Sequence, residues 1–429
     1  MKKLLFLLFF VPGTLYAAEP MTVERAVAAA LEHNANIRNA QLEIAKSERG
    51  LEAQKTHRLP SFSFDALGSE ALNRISLDFR EGAFGTFPAT GPIPNKDTHV
   101  ELARTFSTFA VARVTQPITH LHKINLGVRL SEATVAVDKE QQRAARQAIA
   151  REVKNAYFQV VAAQAFVDAA KEAVNVHEEV DREMNVRVSQ QSALEADRMD
   201  ATARLASARA TAASAANTLA SAQDQLNYLV GTEVEVTPIA SGNWQPPTGN
   251  PGVDQRPDIR KAALQLDAAR LDAKLKSADR IPDVSLSVSR TTPIHVDVLP
   301  DNLTSAAVVV SWEPFTWGRR SAELAQKRLI VEQAENTLAD KRAIAAVEIA
   351  AQRRKLEDAT AQIGVRHLEL EATRERLRVT KVKFEQHAAR PDELFAASAS
   401  LTQAAARQQE AVSAYWTARA DYEKAIGEE

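Results

Sequence analysis

The sequence predicts a mixed α/β membrane protein in which very long helices adjoin a few short barrel-type strands. Three observations predict it. First, Val128 to Val230 runs about a hundred residues without Gly or Pro, the residues that end helices most reliably. Arg319 to Arg390 is a second such run, interrupted only by Gly364. Second, short segments with period-two alternation and many aromatics lie between these runs. Third, the chain repeats itself. At 1.5 Å per residue, even two-thirds of the first run as one helix reaches roughly 100 Å. Such helices form either a rod-like coiled coil or the wall of something tall.

In chain order, Lys2 and Lys3 precede the apolar run Leu4 to Val11, followed by Leu15-Tyr16-Ala17-Ala18. This reads as a secretory signal peptide, residues 1–18, cleaved after Ala17 or Ala18. About eight strongly apolar residues are too few to span a bilayer. There is no Cys, so export brings no disulfide framework and no thiol for an acyl anchor. No later stretch offers enough apolar residues for a transmembrane helix. Charged residues make up 25% and apolar residues 45%, much of it Ala, which suits thin-walled helix packing better than a thick core. A net charge of −2 gives no electrostatic reason to expect a nucleic-acid partner.

Two copies of one unit follow. Asn36-Ile37-Arg38-Asn39-Ala40-Gln41-Leu42 aligns with Asp258-Ile259-Arg260-Lys261-Ala262-Ala263-Leu264. Arg58-Leu59-Pro60-Ser61-Phe62-Ser63-Phe64 aligns with Arg280-Ile281-Pro282-Asp283-Val284-Ser285-Leu286. Gln116-Pro117-Ile118-Thr119 meets Glu313-Pro314-Phe315-Thr316, and Leu226 to Gly231 meets Tyr422 to Gly427. The expected organisation is a first repeat over 19–231, a Pro- and Gly-rich linker over 232–255 and a second repeat over 256–429. The interval Pro60–Pro117 is longer than Pro282–Pro314, so the first copy carries an insertion there.

Each copy reads as helix, strand, loop, strand, long helix, helix. In the first, Thr22 begins a short helix and Asn36 another, to about Thr56. Ser61 to Ala66 alternates as a strand, residues 79–103 with their Gly and Pro form a loop, and Phe106 to Val114 is a second strand. In the second copy Asp283 to Val288 alternates cleanly, and Ala306 to Trp312 sets Val308, Val310 and Trp312 on one face. Two isolated hairpins flanked by such long helices have little to pack against. Apolar-out, polar-in strands with aromatics near their ends carry the pattern of an outer-membrane barrel, since lipid admits only helices or closed barrels. Four strands cannot close. Two copies would give eight strands, filled by their own side chains; three give twelve and leave room for a pore.

Along its whole mature length the chain resembles the TolC-like outer-membrane efflux proteins. The resemblance is carried by Thr22-Val23-Glu24-Arg25-Ala26 with Asn34, by Arg256-Pro257-Asp258-Ile259-Arg260, and by Trp312-Glu313-Pro314-Phe315 before Gly318-Arg319-Arg320. It implies a trimeric 12-stranded outer-membrane β-barrel, four strands per chain, continued by a long periplasmic α-helical barrel. The implied role is passive: the exit duct of a tripartite efflux pump or type I secretion system. Its implied partners are a periplasmic adaptor (membrane fusion) protein and an inner-membrane transporter. A trimeric coiled-coil adhesin with a membrane anchor is the alternative, although its strands would sit together at one end of the chain.

The family closes its periplasmic end with charged residues just after the tip turns. Carried onto this sequence, the gate positions are Asp197, Asp200 and Glu393, beside Arg390 and Asp392. An acid in a first helical turn also favours the helix dipole with no further role. The tip turns, the implied adaptor contacts, read Gln190-Gln191-Ser192-Ala193 and Gln386-His387-Ala388-Ala389, without the Gly usual there. Glu369, well along the second long helix, is expected to influence a passing ion less than Glu393, because the tube is wide and solvated there. His120-x-His122 suits a strand end rather than a helix face and lacks further ligands, so no metal or other cofactor is expected. No nucleophile–base pairing or phosphate loop is present, so no enzyme activity is expected.

Overall fold

The computed structural model describes residues 21–70, 72, 75–102, 106–234, 236, 252–294, 300–386 and 388–428. The expected signal peptide, most of the 232–255 linker and His387 lie outside these residues. The chain divides into two compact units. One comprises the residues up to Lys46, Ala136–Gln265 and those from Ala334; the other comprises Ser47–Val135 and Leu266–Gln333.

The second of these units is built on strands: β1 (Ser61–Glu70), β2 (Ile75–Phe79), β3 (Thr86–Phe87), β4 (Gly91–Pro92), β5 (Thr98–Leu102), β6 (Phe106–Pro117), β7 (Asp283–Ile294) and β8 (Leu303–Ser311). Four of them form one antiparallel sheet in the order β1-β6-β7-β8. This corrects the expectation of two isolated hairpins, because β6 and β7 pair from Thr108↔Ile294 to Pro117↔Ser285. Thr119 fastens that junction. Its Oγ1 donates to the Pro282 carbonyl and accepts from the Val284 N–H, each at 2.7 Å.

Register assigns the two faces. Phe62 and Phe64 of β1 share one with Val114 and Ala112 of β6, Val288 of β7 and Val308 of β8. Ser61, Ser63 and Asp65 share the other with Arg113, Thr115, Ser287, Ser289 and Ser305. The expected loop at 79–103 is also corrected. It holds β3, β4 and β5, and β5 pairs with β2 from Phe79↔Thr98 to Ile75↔Leu102. Gly82, Gly85 and Gly91 adopt φ of +71°, +104° and +72°, so these glycines make the tight turns of a folded hairpin.

The other unit is helical. It holds α1 (Val23–His33), α4 (Glu195–Val230), α7 (Pro391–Ile426) and most of α3 (His120–Ser189) and α6 (Arg319–Glu385). Four helices run from one unit into the other: α2 (Ala35–Thr56), α3, α5 (Pro257–Ala278) and α6. Gly364 does not interrupt α6. His120 and His122 open α3, so the expected strand-end placement is corrected; the strand stops at Pro117. Thr22 caps α1 by accepting from the Arg25 N–H at 3.4 Å.

The long helices contact one another through named pairs. α4 meets α3 through Thr202 Oγ1 donating to Asp181 at 2.7 Å and Arg209–Glu178 at 2.8 Å. α3 meets α7 through Lys154–Glu423 at 2.8 Å, Arg151–Asp421, and Phe158 stacked on Trp416 at 4.4 Å. α7 meets α6 where Ile349, Leu356 and Ile363 bury against Tyr415 and Tyr422.

Arg256, from the segment that carried the family resemblance, is a structural clamp. It ion-pairs with Asp258 at 3.0 Å and Glu348 at 2.8 Å, and it donates to the Ala425 carbonyl at 3.1 Å. Beside it Gly427 ends α7 at φ +88°, where an added Cβ would lie 3.3 Å from the Arg256 Cα. Gly427→Ala is therefore expected to destabilise the helical unit by about 1 kcal/mol or more. Gly364→Ala, inside α6 with open space around its Cβ position, should stabilise it by about 0.5–1 kcal/mol. Urea unfolding followed by circular dichroism at the helical band checks both signs.

Candidate functional site: the helical tips

The two helix-to-helix turns lie between α3 and α4 and between α6 and α7. In the first, Gln190, Gln191 and Ser192 donate backbone N–H groups to the carbonyls of Val186, Val188 and Arg187 at 3.0, 2.9 and 2.8 Å. Gln191 sits at φ +57°, so it occupies the left-handed conformation that Gly usually supplies. The turn closes without its glycine because Ser192 Oγ also donates to the Arg187 carbonyl at 2.9 Å. Ala193 is half-buried, and Gln190, Gln191 and Ser192 are exposed. In the second turn Gln386 and Ala388 donate to Val382 and Lys383 at 3.1 and 2.7 Å, and Ala389 is buried. Arg390 is the N-cap of α7 and Pro391 occupies its first turn, where a missing N–H costs nothing.

One apolar cluster joins the ends of these helices. Val176, Val180 and Met184 of α3 pack with Ala201 of α4, Leu377 and Phe384 of α6, and Leu394 and Phe395 of α7. Arg187 lies over the Phe384 ring at 5.2 Å and Arg204 over the Phe395 ring at 5.0 Å. His177 stacks on Phe395 at 4.8 Å.

The residues expected at the gate fall into three groups. Asp200 and Asp392 are brought together: Arg204 ion-pairs with Asp200 at 2.8 Å and with Asp392 at 3.5 Å, linking α4 to α7. Asp197 serves its own helix, its Oδ2 accepting from the Leu194 N–H at 3.2 Å. Glu393 and Arg390 are exposed, and among the described residues no ion pair engages either. Arg204, His177 and Phe395 were not singled out from the sequence. The spacing Asp200–Arg204, one helical turn, was the available signal. Glu369 is held by Arg366 at 2.8 Å and Arg407 at 2.9 Å, and these bonds, Arg366 first, depress its carboxyl below the usual range.

The sheet carries one apolar face, the pattern of a membrane-barrel strand set, and no helix among the described residues is long and apolar enough to cross a membrane. The comparisons carry this to a family. The outer membrane efflux protein family model matches residues 26–232 and 253–428. The chain belongs to that family, the TolC-like efflux channels, and so to the outer membrane, reaching into the periplasm. No curated protein sequence matches it significantly. Among solved structures it is similar to CusC, at 18% identity and a TM-score of 0.79 over 96% of this chain and 93% of that one. It is also similar to the Campylobacter jejuni CmeC outer membrane channel, at 17% identity and 0.77 over 94% and 85%. The open-state Neisseria gonorrhoeae MtrE outer membrane channel is similar at 19% identity and 0.76 over 95% and 89%.

His177 makes the tip packing acid-sensitive. Burial first, and then the nearby Arg204 charge, hold its imidazole below the ordinary value of 6.5. The folded chain therefore keeps it neutral while the unfolded chain takes up a proton, and stability falls as pH drops from about 6.5 through the depressed value. His177→Phe preserves the ring stack and removes the proton. Urea titrations at stepped pH should show the variant losing less stability than the parent across that window.

Proposed function

We propose that three copies assemble into a passive exit duct, a twelve-stranded barrel in the outer membrane continued by a helical barrel in the periplasm. The observation that carries this reading is the four-stranded sheet with an apolar face and two open edges, β1 and β8. In lipid every backbone N–H and C=O needs a partner, and these edges gain theirs only when β1 of one copy pairs with β8 of the next. Three copies are the smallest ring that leaves a pore.

The helices support the same closure. Contacts link α4 with α3, α3 with α7 and α7 with α6, and near the tip α6 also meets α3 through Lys381–Glu179 at 2.8 Å and α4 meets α7 through Arg204–Asp392 at 3.5 Å. α6 exposes Ile344, Val365 and Val379, and Val347, Leu368 and Val382, each set spaced by multiples of seven. That is a heptad seam left exposed among the described residues. α4 exposes Ala203, Ala206, Ala210 and Ala213, small residues against which such knobs can pack. Residues 19–231 and 256–429 then act as two repeated staves joined by 232–255, with 1–18 the export signal.

In this reading the duct belongs to a tripartite efflux pump or a type I secretion system. A periplasmic adaptor engages the turns at 190–193 and 386–389, and an inner-membrane transporter supplies the energy. The gate is the ring of acids at the tip. Glu393, which no ion pair engages among the described residues, sets the charge of the aperture. Asp197 holds its helix start, and Arg204 neutralises Asp200 and Asp392; Arg390 stands beside them.

Single-channel recording in planar bilayers tests this with two variants of opposite sign. Glu393→Gln removes one charge per copy from the aperture and should lower the cation-over-anion permeability ratio by about twofold or more, because charges within a Debye length of about 8 Å act on a passing ion. Arg204→Gln uncovers Asp200 and Asp392 and should raise it. If both keep the parental ratio, the constriction lies elsewhere.

A further inference from the structure

A histidine at the tip couples a buried nitrogen to the contact between two helices. Nδ1 of His177, on α3, is buried and has no hydrogen-bond partner among the described residues. The ring stacks on Phe395 of α7 at 4.8 Å between centroids. Phe395 is itself buried, and the Arg204 guanidinium of α4 lies over the same ring at 5.0 Å. Arg204 in turn pairs with Asp200 on its own helix and with Asp392 on α7. Beside the stack lies a cavity of about 650 Å³ that His177, Arg204 and Phe395 all line, with Ser207, Thr211 and Gln403 among its polar walls. The other charges near His177 are engaged elsewhere. Glu178 on α3 is held by Arg209, and Asp181 accepts from Thr202. From α6 come the apolar Leu377 and Phe384, while Lys381 of that helix goes to Glu179. Glu393 of α7 is exposed. Arg204 is therefore the charge that His177 faces.

A second proton changes what this packing permits. A neutral imidazole donates from one nitrogen only, whereas an imidazolium must donate from both. Protonation of the packed ring therefore buries a charged donor without an acceptor, beside a guanidinium on the same phenyl ring. The ring is relieved by rotating into the cavity, where water and the hydroxyls accept from it. It then leaves Phe395, and Arg204 loses the packing that aims it at Asp392. We propose that acid opens the periplasmic tip by this route: protonated His177 leaves Phe395, the Arg204 link between α4 and α7 slackens, and the start of α7 moves with Glu393 away from the aperture. The inference rests on the exit-duct reading. A proton favours the state that binds it better. The packed ring resists it and the released ring does not, so the open tip gains as pH falls below about 6.5. Ordinary carboxylates titrate near pH 4, below this window.

Single-channel recording of the full-length protein in planar bilayers tests this, at about pH 7.5 and about pH 5.5, on either side of the ordinary histidine value. The parent's open probability should rise by about threefold or more on acidification. His177→Phe keeps the stack and takes no proton, so its acid-to-neutral ratio should stay near one. His177→Arg carries the charge at both pH values; it should already be open in the neutral buffer, again with a ratio near one. His99→Gln removes an exposed histidine from the β2–β5 hairpin and should keep the parental ratio. A His177→Phe ratio equal to the parent's overturns the inference, as does a His177→Arg channel that stays closed in the neutral buffer. Loss of the response in His99→Gln overturns it too, because the acid response then belongs to the hairpin. A parent that conducts alike at both pH values refutes the switch alone, whereas a parent that forms no channel refutes it together with the duct reading.

Discussion

The structure depends on one constraint: a β-sheet edge cannot end in lipid. Each unpaired N–H and C=O left in hydrocarbon costs several kcal/mol, so a spanning sheet must close. Four strands with edges at β1 and β8 fall short of closure within one chain. The sheet's apolar face compounds this, with Phe62 79% and Phe64 72% exposed in the single chain. A surface like this in water would aggregate; at a bilayer it is what a barrel's outer wall requires. In the exit-duct reading, assembly makes up the chain's own hydrogen-bonding deficit.

The helical unit answers the same problem with different chemistry. Its contacts combine small-residue packing with ion pairs between helices, among them Lys154–Glu423 and Arg407–Glu369. Alanine lets helices approach closely and costs no side-chain entropy on folding. Large apolar side chains of α6 stay exposed in the single chain, such as Leu368, 71% exposed, and Val347, 68% exposed. At the tip an aromatic residue sits between a histidine and an arginine, and that arginine also connects two acids on different helices. Packing and charge are therefore coupled at the tip.

Much of this was legible in the sequence. The Gly- and Pro-free runs specified α3, α4 and α6 because interior breakers are costly, and period-two alternation located β1, β6, β7 and β8. The β6–β7 pairing was not legible, since nothing local in Gln116-Pro117 or Asp283 encodes a partner so distant in sequence. The folded hairpin inside residues 79–103 was hidden because Gly and Pro mark turns whether or not strands lie between them. At the tip, the positions of the acids were legible but their roles were not. Only the structure distinguishes Asp197, spent on its own helix start, from Asp200 and Asp392, matched to Arg204, and from Glu393, which has no ion pair among the described residues. Gln191 in a left-handed turn shows why the absent glycine misleads: a single residue can adopt that conformation when the bonds around it hold it there.

Closure between copies through β1 and β8 is the central claim, and the chain's lack of Cys makes it directly measurable. A cysteine at Ser63 of β1 can be paired in turn with one at Ser305, Ala307 or Val309 of β8, which share its face. After oxidation in isolated outer membranes, at least one pair should give covalent dimers and trimers on denaturing gels, with no larger species. Oxidised monomer alone, from a bond within one chain, or a ladder continuing beyond three copies would contradict it.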